Sequence, residues 1–190
     1  MFRFFYLLLL LFCLRPLGAQ AEIWASFSAP SSFGYSVASS NSYQFDKSAA
    51  VKASGWTFLT KLPLLPPLGM SQILIDAPPL DTSIETANQF KLTSYDVGWD
   101  LSPKAFKFLL GYGVGKMDFN CTQTDCTTYQ FKPLELHQYF TQIGVPFGTA
   151  SDFHFDMRRV IGRVQVTQTT QTDIMHLQGL LASFGFRLGF

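Results

Sequence analysis

The side chains in this sequence able to do chemistry are few: three histidines, a close pair of cysteines and scattered ionisable residues. His137, His154 and His176 are the natural general bases. A serine hydrolase needs a Ser within hydrogen-bond reach of such a His and an acid to orient the ring. The residues two after each His are Tyr139, Asp156 and Gln178, and no spacing supplies the Ser. No catalytic residue is therefore expected. His154 and Asp156 share one side of an alternating segment, so a His–Asp pair is possible, with a structural hydrogen bond as its expected use. No His, Cys and carboxylate spacing suits a metal, and no cofactor is expected.

Six charges fall on the side of their segments opposite the large apolar residues: Asp96, Asp100, Lys107, Asp156, Arg158 and Arg187. Charges taken out of water must be paired. Two uses follow. The first is an internal ion-pair network that fills the space between the segments. The second is an ion path gated by rearranging pairs, in which Lys107, Arg158 or Arg187 would control conduction. Glycines on the same side are expected to make room for the Arg and Lys side chains.

The elements that must position these residues follow a stretch of different character. Arg3, the unbroken apolar run Phe4 to Leu14, and Ala19-Gln20-Ala21 have the order of a secretory signal peptide, residues 1–21, with the cut after Ala21. Eleven apolar residues are too few for a transmembrane helix. Losing Arg3 and Arg15 leaves 12 basic against 13 acidic residues, a net −1, which excludes a strongly basic nucleic-acid binder. Only 14% of residues are charged and 16% are aromatic, which excludes a disordered chain. Cys121 and Cys126 then form an even pair in an exported protein. They read as a disulfide closing a six-residue loop, a metal or redox pair being the alternative.

The remainder, 22–190, reads as one all-β domain. Ala182, Phe184, Phe186, Leu188 and Phe190 alternate with Ser183, Gly185, Arg187 and Gly189. The same rhythm recurs at Phe106–Gly115, Tyr95–Leu101, Gly55–Leu62, Thr141–Gly148 and Phe153–Arg158, and Ile73 and Ile75 stand opposite Gln72, Leu74 and Asp76. It predicts eight strands over 23–29, 50–63, 71–78, 90–102, 105–118, 134–147, 152–166 and 176–190. Pro78 and Pro146 predict a short or bulged third and sixth strand. Short turns near 64–69, 101–104 and 148–151 alternate with longer polar connections over 30–48, 80–89, 120–132 and 167–173. Large residues on one side and small or charged ones on the other, with turns short at one end only, predict an eight-stranded antiparallel up-and-down transmembrane β-barrel. A soluble barrel with the faces reversed is the alternative. Trp56, Trp99, Tyr95, Tyr112 and Tyr139 are candidates for aromatic belts. The Ser-rich stretch 30–48, with Phe33, Tyr35 and Tyr43, is the candidate contact loop.

The hairpin Tyr95-Asp96-Val97-Gly98-Trp99-Asp100-Leu101-Ser102-Pro103 into Gly111-Tyr112-Gly113-Val114-Gly115, with Phe184-Gly185-Phe186-Arg187-Leu188-Gly189-Phe190 at the end, resembles the small OmpA/OmpX-type outer-membrane β-barrel family. The resemblance spans essentially all of 22–190. It implies residence in a Gram-negative outer membrane, contact with its lipid and lipopolysaccharide, and a monomer that does not bind nucleic acid. Phe184, Phe186, Leu188 and Phe190 are then the signal that the barrel-assembly machinery reads. The implied role is non-enzymatic, structural or surface-interacting through the outer loops. A narrow pore for ions or small hydrophobic solutes is the alternative. A lipid A-modifying hydrolase is disfavoured, because such deacylases resemble one another in a His-x-Ser pair with a nearby Glu.

Overall fold

The computed structural model describes residues 23–39, 47–77, 88–102, 106–120, 129–147, 150–168 and 171–190. Residues 1–21, Cys121 and Cys126 lie outside them. The strands are β1 (Trp24–Ser39), β2 (Lys47–Lys61), β3 (Leu68–Ala77), β4 (Asn88–Asp100), β5 (Lys107–Asn120), β6 (Tyr129–Phe147), β7 (Ser151–Gln168) and β8 (Gln171–Gly189). They form a closed barrel in which every neighbour is antiparallel and β1 pairs with β8. Closure leaves no sheet edge to be satisfied by another chain. The first and last described residues meet, with the Phe190 amide donating to the Ile23 carbonyl at 2.8 Å.

Eight strands agree with the sequence reading, as do their faces in the half nearer the short turns, but several boundaries move. β1 runs on to Ser39, ten residues past the expected stop, and pairs with both β2 and β8 along that stretch. The register shifts around Pro30, between Pro30 and Ser32 toward β8 and between Ser28 and Ser32 toward β2, so that Pro30 keeps a partner in β8 but none in β2. Ser31 Oγ donates to the Ala182 carbonyl at the shift, at 3.1 Å. The Ser-rich segment is therefore largely strand, and Phe33 lies fully buried inside the barrel rather than in a contact loop. Tyr43 lies outside the described residues. β6 begins at Tyr129, with its register shift at Pro133–Leu136 rather than at Pro146, which pairs with Asp152 near the end of the strand. β7 runs to Gln168, which pairs with Gln171 at the start of β8, so most of the expected connection over 167–173 is strand.

β6 and β8 have 19 residues each. At ~3.3 Å per residue and a ~40° tilt they rise about 48 Å, nearly twice a ~25 Å apolar band.

The side-chain pattern inverts along that length. On β7, Asp152, His154, Asp156 and Arg158 point inward while Phe153, Phe155 and Met157 point outward. Past Arg158 the roles reverse: Val160 and Val164 are inside, and Arg159 and Arg163 outside. On β8 the same change separates Arg187 and Ser183 from Leu181, Leu177 and Met175. In the half nearer the short turns, Phe27, Phe58, Trp99, Leu110, Ile143, Phe153 and Phe184 face outward and are exposed. In the half nearer the loops, fourteen buried apolar residues fill the interior, among them Phe33, Ile73, Ile75, Leu92, Met117, Leu136 and Leu177. Ile73 and Ile75 thus belong to an inner face, and Gln72 and Leu74 to the outer one. The reversed, soluble-type pattern is therefore present, confined to one half of the same barrel.

Candidate functional site

Seven strands carry buried polar side chains into the half nearer the short turns, and β7 carries the most. Arg158 is at the centre. Its Nη1 donates to Asp96 Oδ2 at 2.6 Å and to Gln138 Oε1 at 3.2 Å. Its Nη2 and Nε donate to Asp156 Oδ2 at 3.0 and 3.1 Å. The guanidinium lies 4.4 Å from the centre of the Phe140 ring, so its face is covered as well as its edges. Asp96 also accepts from Ser94 Oγ, at 2.8 Å, and Ser94 meets Ser71 at 2.6 Å. Asp156 also accepts from Gln142 Nε2, at 3.2 Å, and from Ser28 Oγ. Fully buried charges held this way satisfy the pairing that a desolvated interior demands.

A second cluster lies below the first. Arg187 stacks 4.3 Å from the Trp24 ring, lies 3.5 Å from Asp152 Oδ2, and donates from Nη2 to Gln142 Oε1 at 3.3 Å. Gln142 thereby joins the two clusters. Of the six charges singled out in the sequence, Asp96, Asp156, Arg158 and Arg187 come together. Asp100 does not: it pairs with Lys61 at 2.9 Å and accepts from Ser102 beside the turn 101–106. Lys107 stands at the start of β5 opposite Gly144, also at that rim. Asp152, Gln138 and Trp24 were missed. Asp152 opens its strand next to a turn, where period-two alternation gives little signal.

His154 is placed differently from the sequence expectation. Its carboxylate neighbour is Asp152, with Nδ1 3.7 Å from Oδ1, because Arg158 and Gln142 engage Asp156 instead. Nε2 lies 3.3 Å from Ser26 Oγ and 3.4 Å from Ser28 Oγ. A Ser–His–Asp grouping thus exists after all. It is assembled from β1 and β7 across Gly185 of β8, whose missing side chain is the space the ring occupies. Sequence spacing cannot reveal it, since the Ser is 128 residues away. Ser26, His154 and Asp152 are 1%, 3% and 2% exposed, so a substrate ester has no approach to them. The group serves as part of the interior packing.

The inward glycines accommodate other partners than expected. A side chain at Gly111 would strike the Phe140 ring, and one at Gly113 would strike Asp96. One at Gly144 would strike Asp152 Oδ1, at 2.5 Å. They make room chiefly for an aromatic ring and carboxylates, with Lys107 beside Gly144 the neighbour of the expected kind.

Outside, the C-terminal residues Phe184, Phe186, Leu188 and Phe190 form an exposed apolar row. Tyr95 and Tyr139 are exposed on the upper part of the apolar band, and Tyr112 packs against Tyr139 at 5.1 Å between ring centres. Among the described residues there is no cluster suited to a metal.

A closed, eight-stranded, all-antiparallel barrel with consecutive strands adjacent recurs in solved structures. The outer membrane protein OprG from Pseudomonas aeruginosa matches with a TM-score of 0.61 at 11% identity, over 91% of this chain and 98% of that one. Neisserial surface protein A matches with a TM-score of 0.62 at 11% identity, over 88% and 97%. The fold is that of the small outer-membrane barrels. No family model matches the sequence, and no curated protein matches it. The small-barrel fold leaves an interior that side chains alone can fill at eight strands. Here they fill it with two unlike layers: the Arg158–Arg187 network nearer the short turns and the apolar cluster nearer the loops.

Proposed function

We propose that this protein is an outer-membrane barrel of a Gram-negative cell, exported through a cleaved signal peptide, and that it works as a sealed, non-enzymatic scaffold. Its loop end stands outside the cell and makes structural or surface contacts there. The observation that carries this reading is the doubly filled interior. A gated path would require Arg158 to leave Asp96 and Asp156 together and the fourteen-residue apolar cluster to part as well. The closed barrel, without a free edge, supports a monomer. The exposed apolar row ending at Phe190 is the segment offered to the assembly machinery. No cofactor is needed for such a role.

Two experiments test it. In planar bilayers the purified protein gives no current steps above baseline; steady conductance that falls in an Arg158 or Arg187 variant would establish the pore instead. An epitope inserted between residues 40 and 46 is stained on intact cells. Staining only after lysis would reverse the orientation or remove the protein from the surface.

A further inference from the structure

The turn between β2 and β3 is apolar where contact with water calls for polar residues. Residues 62–67 read Leu-Pro-Leu-Leu-Pro-Pro, and Leu62, Leu64, Leu65 and Leu68 are all exposed, Leu64 by 92%. Leu64 also has a φ of 67°, in the left-handed region where Gly or Asn is the ordinary occupant. Neither feature helps the folded chain in water. The turn is nonetheless firmly held. The Leu65 amide donates to the Leu62 carbonyl at 3.2 Å, and the Gly98 amide of β4 donates to the Pro67 carbonyl at 2.8 Å. Pro67 is buried beside Gly98, where a side chain would come within 3.3 Å of it. Pro63, Pro66 and Pro67 further limit the conformations open to the tip.

A strained, exposed leucine on a fixed turn points to an apolar surface outside the chain. The surroundings indicate which one. Leu68 pairs with Thr60 and Val97 on the outer wall, so the turn continues the apolar band of Phe58, Val97 and Trp99 past the end of the strands. From Trp56 to Ile75 the one charged residue is Lys61, and it is engaged by Asp100 at 2.9 Å. We propose that Leu64 and Leu65 insert among the acyl chains of the leaflet on the short-turn side, which makes 62–67 an apolar foot holding this hairpin in the membrane. The inference rests on the membrane reading given above. A turn that meets water has the composition of 148–151, Gly-Thr-Ala-Ser, at the same end of the barrel.

The test uses the purified mature barrel folded into phosphatidylcholine vesicles, with no other protein present. Leu64→Asn suits the left-handed backbone, so a turn in water keeps or gains stability. An inserted turn loses it: the folded-to-unfolded ratio in urea titrations falls about tenfold, a large part of the worth of burying one leucine. Leu64→Met, still apolar, retains most of that ratio, and the heat-dependent gel shift confirms folding in every variant. A fluorophore on Leu64→Cys, in a chain carrying Cys121→Ser and Cys126→Ser, is quenched by spin-labelled acyl chains and shielded from aqueous iodide. The same fluorophore on Ala150→Cys, in the other turn, is reached by iodide. An unchanged or raised urea midpoint for Leu64→Asn, or iodide reaching position 64 as freely as position 150, overturns the foot and leaves Leu64 for a protein partner. A protein that stays soluble without detergent and shows no heat shift overturns the membrane reading instead.

Discussion

Replacing Arg158 by Met keeps an unbranched apolar stem, but removes the guanidinium that covers Phe140 and leaves Asp96 and Asp156 without their cation. Both carboxylates are buried, and in the wild type they receive three of the four guanidinium hydrogen bonds. Removing one partner of a buried ion pair costs about 3–5 kcal/mol, because a charge is left desolvated and unpaired. With two carboxylates stranded the upper part of that range is expected, even if one takes up a proton. Urea unfolding in lipid vesicles reads the cost, followed by tryptophan fluorescence and by the fraction of heat-shiftable band. With a slope of about 2 kcal/mol per molar, the midpoint falls by about 2 M. The triple variant Asp96→Asn, Asp156→Asn, Arg158→Met removes the charges together and recovers at least half of the loss, since neutral replacements of a buried network are often tolerated. If Arg158→Met costs under about 1 kcal/mol, or the triple variant is worse than the single, the network is not what holds this half of the barrel.

Three further outcomes follow from the same geometry. Leu177→Ala, in the fully buried apolar cluster, costs about 2–5 kcal/mol, whereas Leu180→Ala on the exposed face costs a small fraction of that; comparable losses in urea titrations would mean that the interior near the loops is loosely packed. Gly111→Ala forces its new methyl into the Phe140 ring and destabilises by about 1–3 kcal/mol, and adding Phe140→Leu offsets part of it, so strictly additive losses in a double-mutant cycle would refute the contact. Deleting Phe190 lowers the folded amount in cells severalfold while leaving the urea midpoint of refolded protein nearly unchanged; an equal fall in both would make Phe190 a stability residue rather than an assembly signal.

The half of the molecule nearer the short turns was legible because two-residue alternation and the identity of large and small faces agree there. Phe153–Arg158 and Phe184–Phe190 can be read directly. The half nearer the loops was not. Its outer face is polar, so the stretch after Pro30 looks like loop, and only the ladders to β2 and β8 make it a strand. The inversion itself was hidden because alternation has the same period whichever face is apolar. Ile73 and Ile75 read as outward residues by the rule that holds lower on the barrel, and they point in. Membership of the charged cluster was partly visible, since inward facing follows from parity. Which inward charges meet depends on height around a tilted barrel. Parity says nothing of height, so Asp100 and Lys107 were grouped with Arg158 although they lie at the rim. The Ser26–His154 contact is of the same kind: it spans β8, and only a glycine there permits it.

The point at which the pattern inverts also fixes how deep the molecule sits. Sinking toward the short-turn side would drag Lys116 and Arg159 into hydrocarbon, where a lipid-facing cation costs about 2–4 kcal/mol at the midplane. Rising would bring Phe147, Phe106 and Phe190 into water. In a bilayer of unequal thickness such a barrel gains little by sliding, so the lipid around it must thin or thicken to match. The upper barrel, stiffened by its own apolar filling, then stands at a set height above the surface whatever the membrane beneath it does.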